Sequence, residues 1–234
     1  MTVTIQVFEK QKFAPFYDQD SGRTFSDLEF RKCSFFSSAI SITRKPELRS
    51  MVRGVKLIQC EQRGCALETA VVEDVLVDGF KTNGLFQTWG AVFKHVTLRG
   101  KIGRVMISPC VATAQATAQQ QRAFDEANAA YYAGVDWALD ISEAEVEELD
   151  IRGVPARLIR RDPDSQVVVT RERAMRGEWR RLDLSKTYWG TGIEFLLERG
   201  DPDVVLVAPK RNRKYRDLID GLKVLRDAGV AEPT

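Results

Sequence analysis

"VEDVLVDGF", residues 72–80, is the stretch whose reading decides the fold. Its apolar side chains fall at Val72, Val75, Val77 and Phe80, with Leu76 the one apolar outlier. The same spacing returns upstream in "VRGVKLIQC", residues 52–60, and downstream in "FKHVTLRGK", residues 93–101. The central pair of each stretch, two residues apart, has the alternation of a strand with one buried face, and the β-branched content suits a strand. A strand alone does not account for the recurrence. Four segments beginning at Phe30, Val52, Val72 and Phe93 superpose at steps of 22, 20 and 21 residues. Their second column is Cys33, Val55, Val75 and Val96, and their third is Phe35, Leu57, Val77 and Leu98. The fourth, looser, is Ser38, Cys60, Phe80 and Lys101. A coil that returns to stack its strands explains the near-constant step, because each turn then buries the inward side chains of the turn below. An antiparallel sheet of hairpins would be equally amphipathic but need not keep that step.

Each turn holds more than one strand, since Val105 and Ile107 repeat the pattern of Val96 and Leu98 nine residues on. Glycines at 54, 64, 79, 84, 90, 100 and 103 fall between the faces, where tight corners need a residue that tolerates positive φ. On these residues, from "DLEFRKCSF" (residues 27–35) through the later turns, the chain resembles the right-handed parallel β-helix and pentapeptide-like β-solenoid proteins. The resemblance covers residues 30–107 and departs from strict pentapeptide repeats, whose small–polar–Leu/Phe periodicity is not kept. It implies a fold and little function, since such coils host lyases, hydrolases, inhibitors and adaptors.

Beyond Pro109 the composition shifts to Ala and Gln, good helix formers, and the spacing of Phe124, Ala127 and Tyr131 predicts a helix over 113–133 docked within the chain. "VEELDIRGV", residues 146–154, returns to the template, with Leu139 and Ile141 mirroring Leu149 and Ile151, so the helix reads as an insertion between turns. "QVVVTRE" from Gln166 predicts a strand, "YWGTGIEFLLERG" a helix stopped at Gly200, "DVVLVAP" a buried strand, and "YRDLIDGLKVLRDAGV" an amphipathic helix on Tyr215, Leu218, Ile219, Leu222 and Leu225. The expected fold is therefore mainly β with α: a parallel β-helix of about 20–22 residues per turn, an inserted helix, and a C-terminal α/β cap. The expected divisions are a solenoid over 1–110, the helical insertion over 111–136, and further solenoid strands with the cap over 137–234.

With 35 Lys and Arg against 33 Asp and Glu, net charge is only +2, so strong attraction to nucleic acid or membrane is not a global property. No basic region with an apolar run opens the chain, and no apolar stretch approaches the roughly 20 residues that span a bilayer. Cys33, Cys60, Cys65 and Cys110 form no C-x-x-C pair, and reduced thiols in a cytoplasm are expected. Their spacing is not that of zinc ribbons or fingers, and His95 is the only histidine, so neither a metal nor another cofactor is expected. His95 should face outward beside inward Val96. Glu73, Asp74 and Asp78 are the nearest thing to a catalytic carboxylate group, but Glu73 and Asp74 are adjacent and point to opposite sides of a strand. With Arg53 and Lys94 aligned on Asp74, they read as a solvated charged face.

The sharpest local feature is "PKRNRKYR", residues 209–216, in which Lys210, Arg211, Arg213, Lys214 and Arg216 precede a helix. Basic charge there opposes the helix dipole, so these five form the candidate interaction surface, while Arg152, Arg157, Arg160 and Arg161 form a second, more spread basic group. The expected function is a non-enzymatic, cytoplasmic solenoid that binds another protein, with an inhibitor or immunity-type protein as one concrete form by analogy. The alternatives are an enzyme acting on carbohydrate or nucleotide, and a nucleic-acid-binding protein using residues 210–216.

Overall fold

The structure, a computed structural model, describes residues 4–111 and 116–233. The protein is mainly β with a few helices, and its body is a large parallel sheet that curls around one core, compatible with a solenoid-like fold. The strand Val71–Trp89 states the topology most compactly. Its first residues pair with Met51–Arg53, its middle with Lys56–Arg63 and its last with Ala66–Glu68, always in parallel. On its other side the whole strand pairs in parallel with Val92–Ser108, Val75 opposite Val96 and Val77 opposite Leu98. Antiparallel pairing is confined to Gln166–Thr170 with Asp203–Val207 among the described residues. The hairpin alternative is thereby excluded for the main sheet.

Left-handed backbone residues explain the odd apolar spacing. Gly54, Gln59, Gly64, Thr69, Asp74, Gly79 and Gly84 all have positive φ and lie five residues apart, as do Gly22, Asp27, Lys32 and Ser37 one turn below. Each such residue interrupts the extended backbone, because a left-handed φ lies outside the β region. Two inward side chains within one side are two apart, as Val75 and Val77 are. Across a left-handed residue they are three apart, as Val72 and Val75 are around Asp74. Val55, Val75, Val77 and Val96 are buried, while Leu57 and Leu98 pack against the same core half-buried.

The lowest of the superposed turns is out of register. Phe30 pairs with Leu57, and Ser34 with Glu61, which brings Cys33 beside Cys60 instead of Val55. The step from Phe30 to Leu57 is 27 residues because the chain detours through the short helical turn Pro46–Leu48. At the fourth column Ile102, not Lys101, sits opposite Phe80, and Lys101 is exposed.

Helix α1, Ala118–Ala133, begins after Thr117, whose hydroxyl accepts from the Gln120 amide at 3.2 Å while the Gln120 side chain accepts from the Thr117 amide at 2.9 Å. This reciprocal cap satisfies two orphan donors; of the predicted span, residues 113–115 lie outside the described residues. Its buried face is Phe124, Asn128 and Tyr132, rotated by one residue from the Phe124–Ala127–Tyr131 stripe. Arg49, at the end of the detour, fastens the helix: its guanidinium lies 4.6 Å from the Phe124 ring centre and donates to Asn128 Oδ1 and to the Gly90 carbonyl. Burial lowers the Arg49 pKa to about 10. After α1 the sheet continues, with Leu139–Asp140 on Val96 and Thr97, and Ala144–Ile151 on the strand from Gly100 to Ile107.

The C-terminal unit joins the two-stranded sheet to helices α2 (Arg171–Met175), α3 (Trp189–Arg199) and α4 (Tyr215–Asp227). Strand alternation sends Val168, Val205 and Val207 into the core of the large sheet, and Val167, Val169 and Leu206 into a second core with Trp189, Ile193, Leu218, Leu222 and Leu225. Both faces are buried, which is why "DVVLVAP" reads as a continuous apolar run. Complete burial of each of Leu218, Leu222 and Leu225 stabilises the unit by about 1.5–3 kcal/mol.

Candidate functional site

Lys210, Arg211, Arg213, Lys214 and Arg216 lie in and just after the turn that leads from Asp203–Val207 to α4, and all five are exposed. The structure divides them. Lys210 Nζ stands 2.9 Å from Asp162 Oδ2, a bond that raises the lysine pKa. Arg211 Nη1 donates to the Ile102 carbonyl at 3.2 Å and its amide to the Val146 carbonyl at 3.4 Å. These two residues fix the turn against the edge of the large sheet. Arg213, Lys214 and Arg216 make no side-chain hydrogen bond or ion pair among the described residues. The turn therefore carries three unpartnered cations on a rigid support.

The second basic group is dispersed. Arg152 pairs with Asp150 at 3.0 Å, Arg161 with Glu232 at 3.6 Å, and Arg160 lies 4.1 Å over the Trp137 ring. Next to the basic turn runs an acidic face, on which Glu145, Glu147, Glu148 and Asp150 point outward from Ala144–Ile151. Glu148 is held by Arg104 at 2.7 Å.

A second polar constellation, where Asp74 and His95 take left-handed backbone on neighbouring strands, was legible only in part. His95 faces outward, its side chain 30% exposed. Its Nδ1 lies 3.1 Å from Asp74 Oδ1 and its Nε2 2.7 Å from Asp136 Oδ1. Both ring nitrogens face carboxylates, so both donate in the imidazolium form. The Asp136 hydrogen bond, aided by Asp74, raises the His95 pKa, and the same bond lowers that of Asp136. Trp137 lies 4.7 Å from the imidazole, and Arg53 reaches Asp74 at 3.6 Å. Glu73 accepts from the Tyr131 hydroxyl at 3.0 Å. The register puts Arg53 and Lys94 opposite Glu73, not Asp74. Asp78 is taken by Arg99 at 2.8 Å. The candidate carboxylates are thus engaged with neighbouring turns, and the His95 ring has no free nitrogen to act as a base. What the cluster does is tie the exit of α1 to the large sheet. The signal for it was the 21-residue separation of Asp74 and His95, one turn apart.

Cys33 and Cys60 are buried in the core, Cys65 is half-buried and Cys110 exposed, all as free thiols. Among the described residues, no helix is long and apolar enough to cross a membrane. Comparison with known proteins finds no matching family model, no matching curated protein and no matching solved structure.

Proposed function

We propose that the chain is a non-enzymatic binding protein built on a closed, right-handed parallel β-helix of pentapeptide-like construction, and that it contacts the acidic surface of another protein. The five-residue recurrence of left-handed corners supports the closed, four-sided coil. The observation that carries the binding reading is the basic turn: Arg213, Lys214 and Arg216 stand exposed and unpartnered, while Lys210 and Arg211 anchor the same turn to the sheet. A cation presented on a rigid support loses less freedom on binding than one on a mobile loop, and complementary charge speeds encounter. The free thiols accord with work in a reducing cytoplasm.

The test replaces Arg213, Lys214 and Arg216 together with Ser and leaves Lys210 and Arg211 in place. The expected result is an unchanged melting temperature, loss of an acidic protein partner that the parent captures, and a flatter dependence of any residual binding on salt. A partner held equally well by parent and variant overturns the reading. Retention of duplex DNA by the parent at physiological salt, lost in the variant, replaces the protein partner with nucleic acid.

A further inference from the structure

The two ends of the coil differ. One is covered by Val168, Val205 and Val207 of the C-terminal unit. At the other, Gln6–Glu9, Lys12–Phe13, Tyr17–Gln19 and Thr24–Ser26 pair only with Leu28–Arg31, Ser34–Phe36, Ala39–Ile42 and Met51–Arg53 respectively, among the described residues. Among the described residues Gln6–Glu9, Lys12–Phe13 and Tyr17–Gln19 keep one edge unpaired, and a free edge is a template for another strand. Exposed apolar side chains collect on the same turn: Ile5 is 42% exposed, Val7 53%, Phe16 42% and Tyr17 64%. Inside, Phe8 stacks on Phe30 at 5.1 Å and Phe13 on Phe35 at 5.2 Å. That ladder of rings stops at Phe8 and Phe13, both only partly buried.

We propose that this end is a self-association surface and that its occupant is a second copy of the chain, docked head to head. The inference rests on the closed-coil reading above. A single extended peptide can satisfy one free edge. Satisfying the three edges of Gln6–Glu9, Lys12–Phe13 and Tyr17–Gln19 together takes a partner with three free edges on the same outline, which a second copy supplies. Head-to-tail stacking is blocked by the C-terminal unit, so the contact closes as a two-fold dimer and does not propagate into a fibre. The partner's Phe8 and Phe13 then continue the interrupted ring ladder.

Analytical ultracentrifugation of the 234-residue chain from about 1 μM to about 1 mM should show the 26.4 kDa monomer giving way to a species of twice that mass and to nothing larger. Replacing Val7 and Tyr17 with Lys sets like charges against each other across the two-fold axis. It should weaken dimerisation by about tenfold or more while leaving the melting curve in place. Should the double variant melt early, Tyr17→Lys alone carries the comparison, since that side chain is 64% exposed. A separate variant, Asp78→Cys with Arg99→Cys, tests the coil itself, because these positions are in register on neighbouring turns and should form a disulfide within the monomer. A monomer at every concentration, with that disulfide formed, overturns the association alone. Failure of the disulfide overturns the coil reading. A dimer indifferent to the lysines, or an open-ended series of oligomers, overturns the head-to-head geometry.

Discussion

Two glycine-to-alanine substitutions separate backbone strain from steric contact between turns. A methyl group at Gly103 would lie 2.2 Å from Thr82 Oγ1 and 2.8 Å from the Thr82 backbone nitrogen on the neighbouring turn. The hydroxyl can rotate away, but the nitrogen belongs to the strand that Gly103 stacks against, so relief requires the two turns to part. Overpacking of this kind costs about 3 kcal/mol. At Gly84 the φ of +78° is left-handed and nothing lies within 4 Å of the added methyl. That change carries only conformational strain of about 1 kcal/mol, partly offset by about 0.4–1 kcal/mol from a stiffer unfolded chain. For a chain of this size 1 kcal/mol moves the midpoint by about 2–4 °C, so Gly103→Ala should melt about 6–12 °C below the parent and Gly84→Ala within about 2–3 °C of it. Circular dichroism melts of the three proteins under identical conditions provide the measurement. If Gly103→Ala melts with the parent, Thr82 and Gly103 are not stacked, and the turn-on-turn reasoning fails at the point where the two backbones come closest.

Leu222→Ala, at a fully buried position of α4, should cost about 2–5 kcal/mol in denaturant unfolding. Arg211→Ala removes a bond to the Ile102 carbonyl and should cost about 1 kcal/mol, whereas Arg213→Ala should stay within about 0.5 kcal/mol of the parent. The buried carboxylate of Asp18 is penalised by burial, but bonds from Ser21, Ser50 and the Ser41 amide outweigh this and hold its pKa below 3.8. Its contribution to stability should be full above that value and lost as pH falls through the lower folded-state value, and Asp18→Asn should flatten the acid limb of the stability profile. His95 has the opposite sign: its raised pKa gives a contribution complete below about 6.5 and lost as pH rises through the folded-state value, and an NMR titration of the ring should move down in Asp136→Asn.

The central turns were readable because Val72, Val75, Val77 and Phe80 keep their inward positions without interruption. The lowest turn was not, because the detour through Pro46–Leu48 lengthens one step, and an apolar template slides to the nearest matching residues. The five-residue corner period was hidden for a different reason. Gly54, Gly64, Gly79 and Gly84 declare a left-handed backbone, but Gln59, Asp74 and His95 hold the same conformation with side chains that are common elsewhere. α1 was visible as a helix, yet its buried face includes Asn128, which is acceptable there because Arg49 donates to it. The basic turn was conspicuous in sequence. Its division into anchors and free cations was not, since the partner of Arg211 lies 109 residues away.

That division bears on function through the rest of the surface. Several outward charges on the large sheet are paired between neighbouring strands: Lys81 with Glu61 at 3.9 Å, Arg99 with Asp78 at 2.8 Å and Arg104 with Glu148 at 2.7 Å. Exposed pairs such as these add only about 0–1 kcal/mol each, but like charges placed directly opposite across strands are destabilising, so their alternation favours one register over its neighbours. Charges spent in this way offer a partner little net field. Arg213, Lys214 and Arg216 follow no such pairing, lie beyond the stacked turns, and contribute nothing visible to register. They stand beside the outward carboxylates of Ala144–Ile151, free of the pairs that fix the sheet's register. An acidic partner would be steered to that turn and not to the flat faces of the sheet.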